Sequence, residues 1–208
     1  DAGLQIRGQS MEKLIIASKN KGKINEIKDI LKWLPFEILS MNDAGYDDEI
    51  EENGNTFDEN AMLKAQTVFS HTGGMVLADD SGLEIDFLNG APGIYTARFA
   101  GEHTSQEEKN TRISALLSGV DSPYRSARFV CSIAFVSKDR SFTVNGVTEG
   151  RIAEKPVGFA GFGYDPVFFM PEYGKTMAEL PDSIKNQVSH RARALQKLRE
   201  ELEKHYSK

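Results

Sequence analysis

The chain has 208 residues, 39% of them hydrophobic, enough to bury the core of one domain or of a single two-lobed domain. A formal net charge of −6 and a pI near 5.3 argue against a nucleic-acid-binding surface, although a few local cations suffice for a small anionic ligand. No apolar run reaches bilayer length, no signal-like leader is visible, and the lone Cys131 excludes an internal disulfide and suits a reducing cytoplasm.

Residues 1–10 lack periodicity and precede the methionine that opens a clean strand; they read as an added leader to a domain spanning 11–208. Lys13–Ala17 reads as a short buried strand that breaks at Ser18-Lys19-Asn20-Lys21-Gly22-Lys23. A helix follows, with Ile24, Ile27, Leu31 and Leu34 on one face, and it ends before Pro35. A strand, a polar glycine-containing turn and a helix offer backbone N–H groups and a positive dipole end to a phosphate. The spacing is not that of a Walker loop. Phe36–Ser40 is a second strand.

Asp47 to Glu52 carries five acids in six residues and leads into Thr56-Phe57-Asp58-Glu59, a capping box with Thr56 as N-cap. The helix over 56–70 buries Phe57, Ala61, Ala65 and Val68, stops at Gly73-Gly74, and leaves Lys64 on another face, free to reach a cleft. Met75-Val76-Leu77-Ala78 then runs into Asp79-Asp80-Ser81-Gly82, which reads as a buried strand delivering two carboxylates to the rim of a sheet. Gly82 supplies a turn or permits a close approach. Adjacent carboxylates there cost free energy unless a cation neutralises them, and the fitting cation is hard: Mg²⁺ or Mn²⁺. Glu51 or Glu52 is placed to share it with Asp80. The competing reading is an ordinary acidic turn.

Further on, Asn89–Gly93 is a loop, Ile94–Phe99 carries Arg98, and Ser105-x-x-Glu108 opens a helix through Leu117. Arg128–Val136 and Phe142–Val147 read as a hairpin around Lys138-Asp139-Arg140. From Gly158 to Pro166, three glycines alternate with aromatics, which lets backbone approach a flat ligand while a ring stacks on it. Ser189 caps the last helix, which buries Ala192, Leu195, Leu198 and Leu202.

In chain order these segments resemble the inosine triphosphate pyrophosphatase family. The motifs are Ser18-x-Asn20-x-x-Lys23, Glu51-Glu52-x-Gly54-x-Thr56-Phe57-x-Glu59-Asn60-Ala61, Ala78–Leu83, Ala91-Pro92-Gly93-Ile94-Tyr95-x-Ala97-Arg98, Gly161–Pro166 and Ser189-His190-Arg191. Departures are Asn53, and Phe159-Ala160 ahead of the glycine–aromatic loop. The resemblance implies an α/β fold, a long twisted mixed sheet with flanking helices in two lobes around a central cleft, and a homodimer. It implies hydrolysis of non-standard purine nucleoside triphosphates (inosine, deoxyinosine, xanthosine) to monophosphate and pyrophosphate, with Mg²⁺. By resemblance Asp80 accepts a proton and, with Glu52, binds the metal; Lys23 assists. Ser18, Lys19, Asn20, Lys21, Gly22, Lys23, Lys64 and Ser81 would hold the phosphates. Phe162, Gly163, Tyr164, Asp165, Lys185, His190 and Arg191 would hold the nucleoside, with Arg191 donating to a 6-keto oxygen. Alternatives are a same-fold pyrophosphatase for other modified nucleotides and a non-catalytic nucleotide-binding regulator. Neither nucleic acid nor membrane is expected as a partner.

Overall fold

The computed structural model of the chain describes residues 12–206; the expected leader lies outside them. One seven-stranded sheet runs in the order β2-β1-β3-β4-β5-β6-β7. Its strands are β1 (Lys13–Ile16), β2 (Glu37–Ser40), β3 (Met75–Ile85), β4 (Ser126–Val136), β5 (Ser141–Ile152), β6 (Phe168–Met170) and β7 (Lys175–Thr176). β1 is parallel to β2 and β3, and all later pairings are antiparallel. The helices are α1 (Lys21–Leu31), α2 (Phe57–Thr72), α3 (Gln106–Leu116), α4 (Asp182–Val188) and α5 (His190–Tyr206). The expected mixed sheet with flanking helices is what forms.

Strand alternation decides what each face packs against. Leu14, Ile16, Met75 and Leu77 point to α1 and α5, joining Ile27, Leu31, Leu195 and Leu198 in one core. Ile15, Ala17, Val76 and Ala78 point the other way and join Ala61, Ala65 and Val68 of α2. A third core gathers the far ends of β3, β4 and β5 around Ile113, Leu117, Phe129 and Phe168.

Two local expectations are corrected, the first and third below, and one open alternative is decided. First, β3 does not end at its carboxylates: Asp79, Asp80, Ser81 and Gly82 stay in the strand, in register with Ile133, Ser132, Cys131 and Val130 of β4. Asp, Ser and Gly favour turns locally, but an unbroken antiparallel partner overrides that preference. The element that ends here is β1, whose last pair with β3 is Ile16 with Leu77. Second, Gly82 makes a close approach, not a turn, since a Cβ there would lie 2.5 Å from the Gly93 carbonyl oxygen and 2.7 Å from the Phe57 ring. Third, α1 starts inside the lysine-rich turn, with Asn20 as N-cap accepting from the Lys23 N–H at 3.1 Å. The Thr56 cap forms as expected, its hydroxyl accepting from the Glu59 N–H, while the Glu59 carboxylate accepts from Asn55 N–H, one residue before the cap.

Candidate active site

Where β1 stops, the continuing edge of β3 is left open, and a cavity of about 390 Å³ lies there. It sits at the carboxyl end of a parallel strand, the place where open α/β sheets bind ligands. Ser18, Lys19, Asn20, Lys23, Glu52, Lys64 and Ser81 line it, together with Phe162, Gly163, Tyr164, Asp165, Lys185, His190 and Arg191. Of the expected residues, Lys21, Gly22 and Asp80 do not line it. Lys21 is exposed on the first turn of α1. Gly22 lies under the Phe162 ring, where a Cβ would come within 2.7 Å, so this glycine seats the aromatic rather than a phosphate. Asp80 stands behind Lys64.

Adjacent residues of a strand point to opposite faces, and this splits the acidic pair. Asp79 shares the face of Leu77 and meets α1 and α5. Its carboxylate takes Lys23 Nζ at 2.5 Å, Arg191 Nε at 2.9 Å, the Ser81 hydroxyl at 2.7 Å and the Cys131 thiol at 3.0 Å. Burial alone would raise its pKa, but Arg191 and Lys23 more than offset that and hold it well below the usual carboxylate range. Asp80 shares the face of Ala78 and meets α2. Lys64 Nζ lies 3.5 Å from Asp80 Oδ1 and 3.2 Å from Glu52 Oε2, while Asp80 Oδ2 is buried without a hydrogen-bond partner. Burial pushes Asp80 up to about 6; Lys64 and Lys23 oppose the rise, and Glu52 and Asp79 add to it. One carboxylate is a fixed anion, its neighbour a base near neutrality. Among the described residues, no group of three or more His, Cys, Asp or Glu forms a ready metal cage.

An alternating run of ion pairs links the lysine-rich residues of the cavity to those of the glycine–aromatic loop. It passes from Lys23 to Asp79, to Arg191, to Glu26, to Lys185 and to Asp165, so that formal charges cancel along its length. Arg191 also donates from Nη2 to the Ser81 hydroxyl at 3.2 Å. Its three bonds leave two of the five guanidinium N–H donors. Asp165 Oδ2 accepts from the Phe162 N–H at 3.1 Å and from Lys185 at 2.6 Å, which fixes the glycine–aromatic loop. Gly161 and Gly163 take φ of 74° and 64° within it, the left-handed region that favours glycine. Lys185 Nζ stands 4.8 Å from the centre of the Phe162 ring. His190 stacks on Phe129 at 4.7 Å, and burial together with Arg191 drives its pKa well below the ordinary histidine value, so the ring is neutral.

Several residues that build or line the site escaped the sequence reading. Glu26, the partner of both Lys185 and Arg191, lies three residues after Lys23 on the same helix, a spacing that could have found it. Phe129, Thr96 and Gln106 line the cavity itself and carry no motif. Tyr164 donates its hydroxyl to the Thr96 carbonyl at 2.8 Å, tying the aromatic loop to the wall below β3.

The profile of the Ham1 family matches residues 14–201. A dITP/XTP pyrophosphatase of Bacillus licheniformis is 48% identical over 90% of this chain and 96% of its own length. One from Clostridium perfringens is 47% identical over 92% of this chain and 98% of its own. Among solved structures, the Staphylococcus aureus Ham1 protein superposes with a TM-score of 0.83 at 40% identity, covering 92% of this chain and 98% of that one. A HAM1 protein from Coxiella burnetii gives 0.83 at 39% identity with the same coverage. The match takes in every residue that lines the cavity, and the chain belongs to the Ham1 family.

Proposed function

We propose that this chain hydrolyses non-standard purine nucleoside triphosphates, those of deoxyinosine and xanthosine foremost, to the monophosphate and pyrophosphate. The observation that carries the reading is the divided acidic pair: Asp79 locked between Lys23 and Arg191, and Asp80 near pH 6 with an oxygen free. Phosphoanhydride hydrolysis needs charge neutralisation and an aligned water more than covalent chemistry. Lys19, Lys23, Lys64 and the N-terminus of α1 bring positive charge to the triphosphate side of the cavity. Asp80 Oδ2 takes the proton of the attacking water, for which a pKa near the working pH is well matched. Phe162 offers a face for the base, and Arg191, Lys185 and backbone N–H groups of the loop offer donors to a 6-keto oxygen that adenine lacks.

Glu52 and Asp80 fit a hard divalent cation such as Mg²⁺, which is commonly held by one or two carboxylates together with substrate phosphates. When bound, that ion neutralises charge developing on the phosphates. A homodimer is part of this proposal, supported by the family resemblance, and is checked by sedimentation. A cytoplasmic setting is supported by the free, buried Cys131. Relatives named for dITP and XTP do not favour the two alternatives raised by the sequence. The test is the product list: deoxyinosine triphosphate should give monophosphate and pyrophosphate, stop with EDTA and resume with Mg²⁺. Release of diphosphate and orthophosphate would refute the reading.

A further inference from the structure

Lys64 is bound as a counter-ion. Its side chain is 10% exposed, and its stem rises from the buried face of α2 beside Ala61 and Ala65, not from the separate face expected from the sequence. Its ammonium lies 3.2 Å from Glu52 Oε2 and 3.5 Å from Asp80 Oδ1, so one monovalent charge serves two carboxylates. Asp80 Oδ2, in a side chain 9% exposed, stays buried without a partner. These oxygens are the ones a divalent cation would need. An ammonium and a divalent ion cannot occupy the same lone pairs, and at such separations they repel strongly.

We propose that Lys64 is a resident placeholder for the divalent cation. It holds Glu52 and Asp80 while no nucleotide is bound, and it yields them only when a triphosphate supplies a replacement anion. The proposal rests on the metal reading above and adds an order of events to it. Metal alone binds weakly, and the divalent ion and the triphosphate enter together. Lys64 thereby suppresses idle metal loading and links cation affinity to the presence of substrate phosphate.

Mn²⁺ binding to nucleotide-free protein, read by electron paramagnetic resonance of the free ion, tests this without turnover. Lys64→Met should bind Mn²⁺ at least about tenfold more tightly than wild type, a conservative reading of Coulomb's law in water for charges of +1 and +2 about 4 Å apart. Lys64→Arg should stay at the wild-type level, and adding Glu52→Gln to Lys64→Met should remove the gain. Wild-type affinity equal to that of Lys64→Met overturns the placeholder alone. Failure of both to bind Mn²⁺, with full wild-type activity in chelator, overturns the metal reading with it. Should Lys64→Met not fold, lysine-¹⁵N NMR of unsubstituted protein decides, with the Lys64 ammonium signal assigned by its loss in Lys64→Arg. That signal should hold still with Mg²⁺ alone and move when Mg²⁺ and a non-hydrolysable triphosphate analogue are added together. Movement with Mg²⁺ alone overturns the proposal.

Discussion

Asp79 and Asp80 are adjacent, both buried and both carboxylates, yet the strand's alternation gives them opposite energetic signs. For Asp80 the folded chain binds the proton more tightly than the unfolded one, with a pKa of about 6 against 3.8. Between those values its contribution to stability falls as pH rises, and at pH 7 the ionised group costs roughly 3 kcal/mol, at about 1.36 kcal/mol per pH unit. Asp80→Asn should therefore raise the thermal midpoint by several degrees while lowering kcat by about 10²–10³ or more. Asp79 runs the other way. Its folded pKa is depressed, so its pairing stabilises above the ordinary carboxylate range and is lost as pH falls through the folded value. Asp79→Asn leaves Lys23 and Arg191 short of a buried anion and should cost about 3–5 kcal/mol. Calorimetry on both variants checks the pair; midpoints moving in the same direction would contradict the division. In the wild type, kcat/KM should fall on the acid side with an apparent pKa close to the about 6 of Asp80. A profile flat down to pH 5 would exclude Asp80 as the base.

At the scale of elements, β3 organises the cleft by continuing past the end of β1, and Gly82 lets neighbouring segments close on it. Adding a Cβ there would meet the Gly93 carbonyl oxygen and the Phe57 ring, neither of which moves without the 93–98 turn or the first turn of α2. Gly82→Ala should destabilise by about 1–3 kcal/mol through overpacking. It should also lower kcat/KM, because α2 carries Lys64. An unchanged midpoint and unchanged kinetics would refute the close-packing account. The same strand shows where sequence legibility ended. Ile15, Ile27, Ala61, Ala65 and Leu198 announced their elements through periodicity, and Thr56 and Ser189 marked helix starts through local capping chemistry. The passage of β3 through Asp79-Asp80-Ser81-Gly82 was illegible because it depends on β4, some fifty residues away in register. β6 and β7 are three and two residues long and carry no period. α4, which bears Lys185, has seven residues and no side-chain cap. The cavity residues were legible where a motif names them, and illegible where, like Phe129, they are strand residues of ordinary composition.

At the scale of the whole molecule, the cleft divides two kinds of chemistry. Lys23, Lys64 and Glu52 line it with Asp80 behind Lys64, and Phe162, Lys185, His190 and Arg191 line it from the glycine–aromatic loop, α4 and α5. The run of ion pairs from Lys23 to Asp165 joins these two sets, so base recognition and phosphate placement share a buried scaffold. Lysines that position phosphates should not read the base: Lys23→Ala should lower kcat/KM for two different purine triphosphates by the same factor. Unequal losses would move Lys23 to the base side. The most direct measurement is the ratio of kcat/KM for deoxyinosine or xanthosine triphosphate to that for adenosine triphosphate on the wild-type chain. Donors left facing an adenine amino group stay unpaired in a desolvated pocket, so the ratio should exceed roughly 10². A ratio near one, or no turnover of either non-standard nucleotide with Mg²⁺ present, would contradict the account.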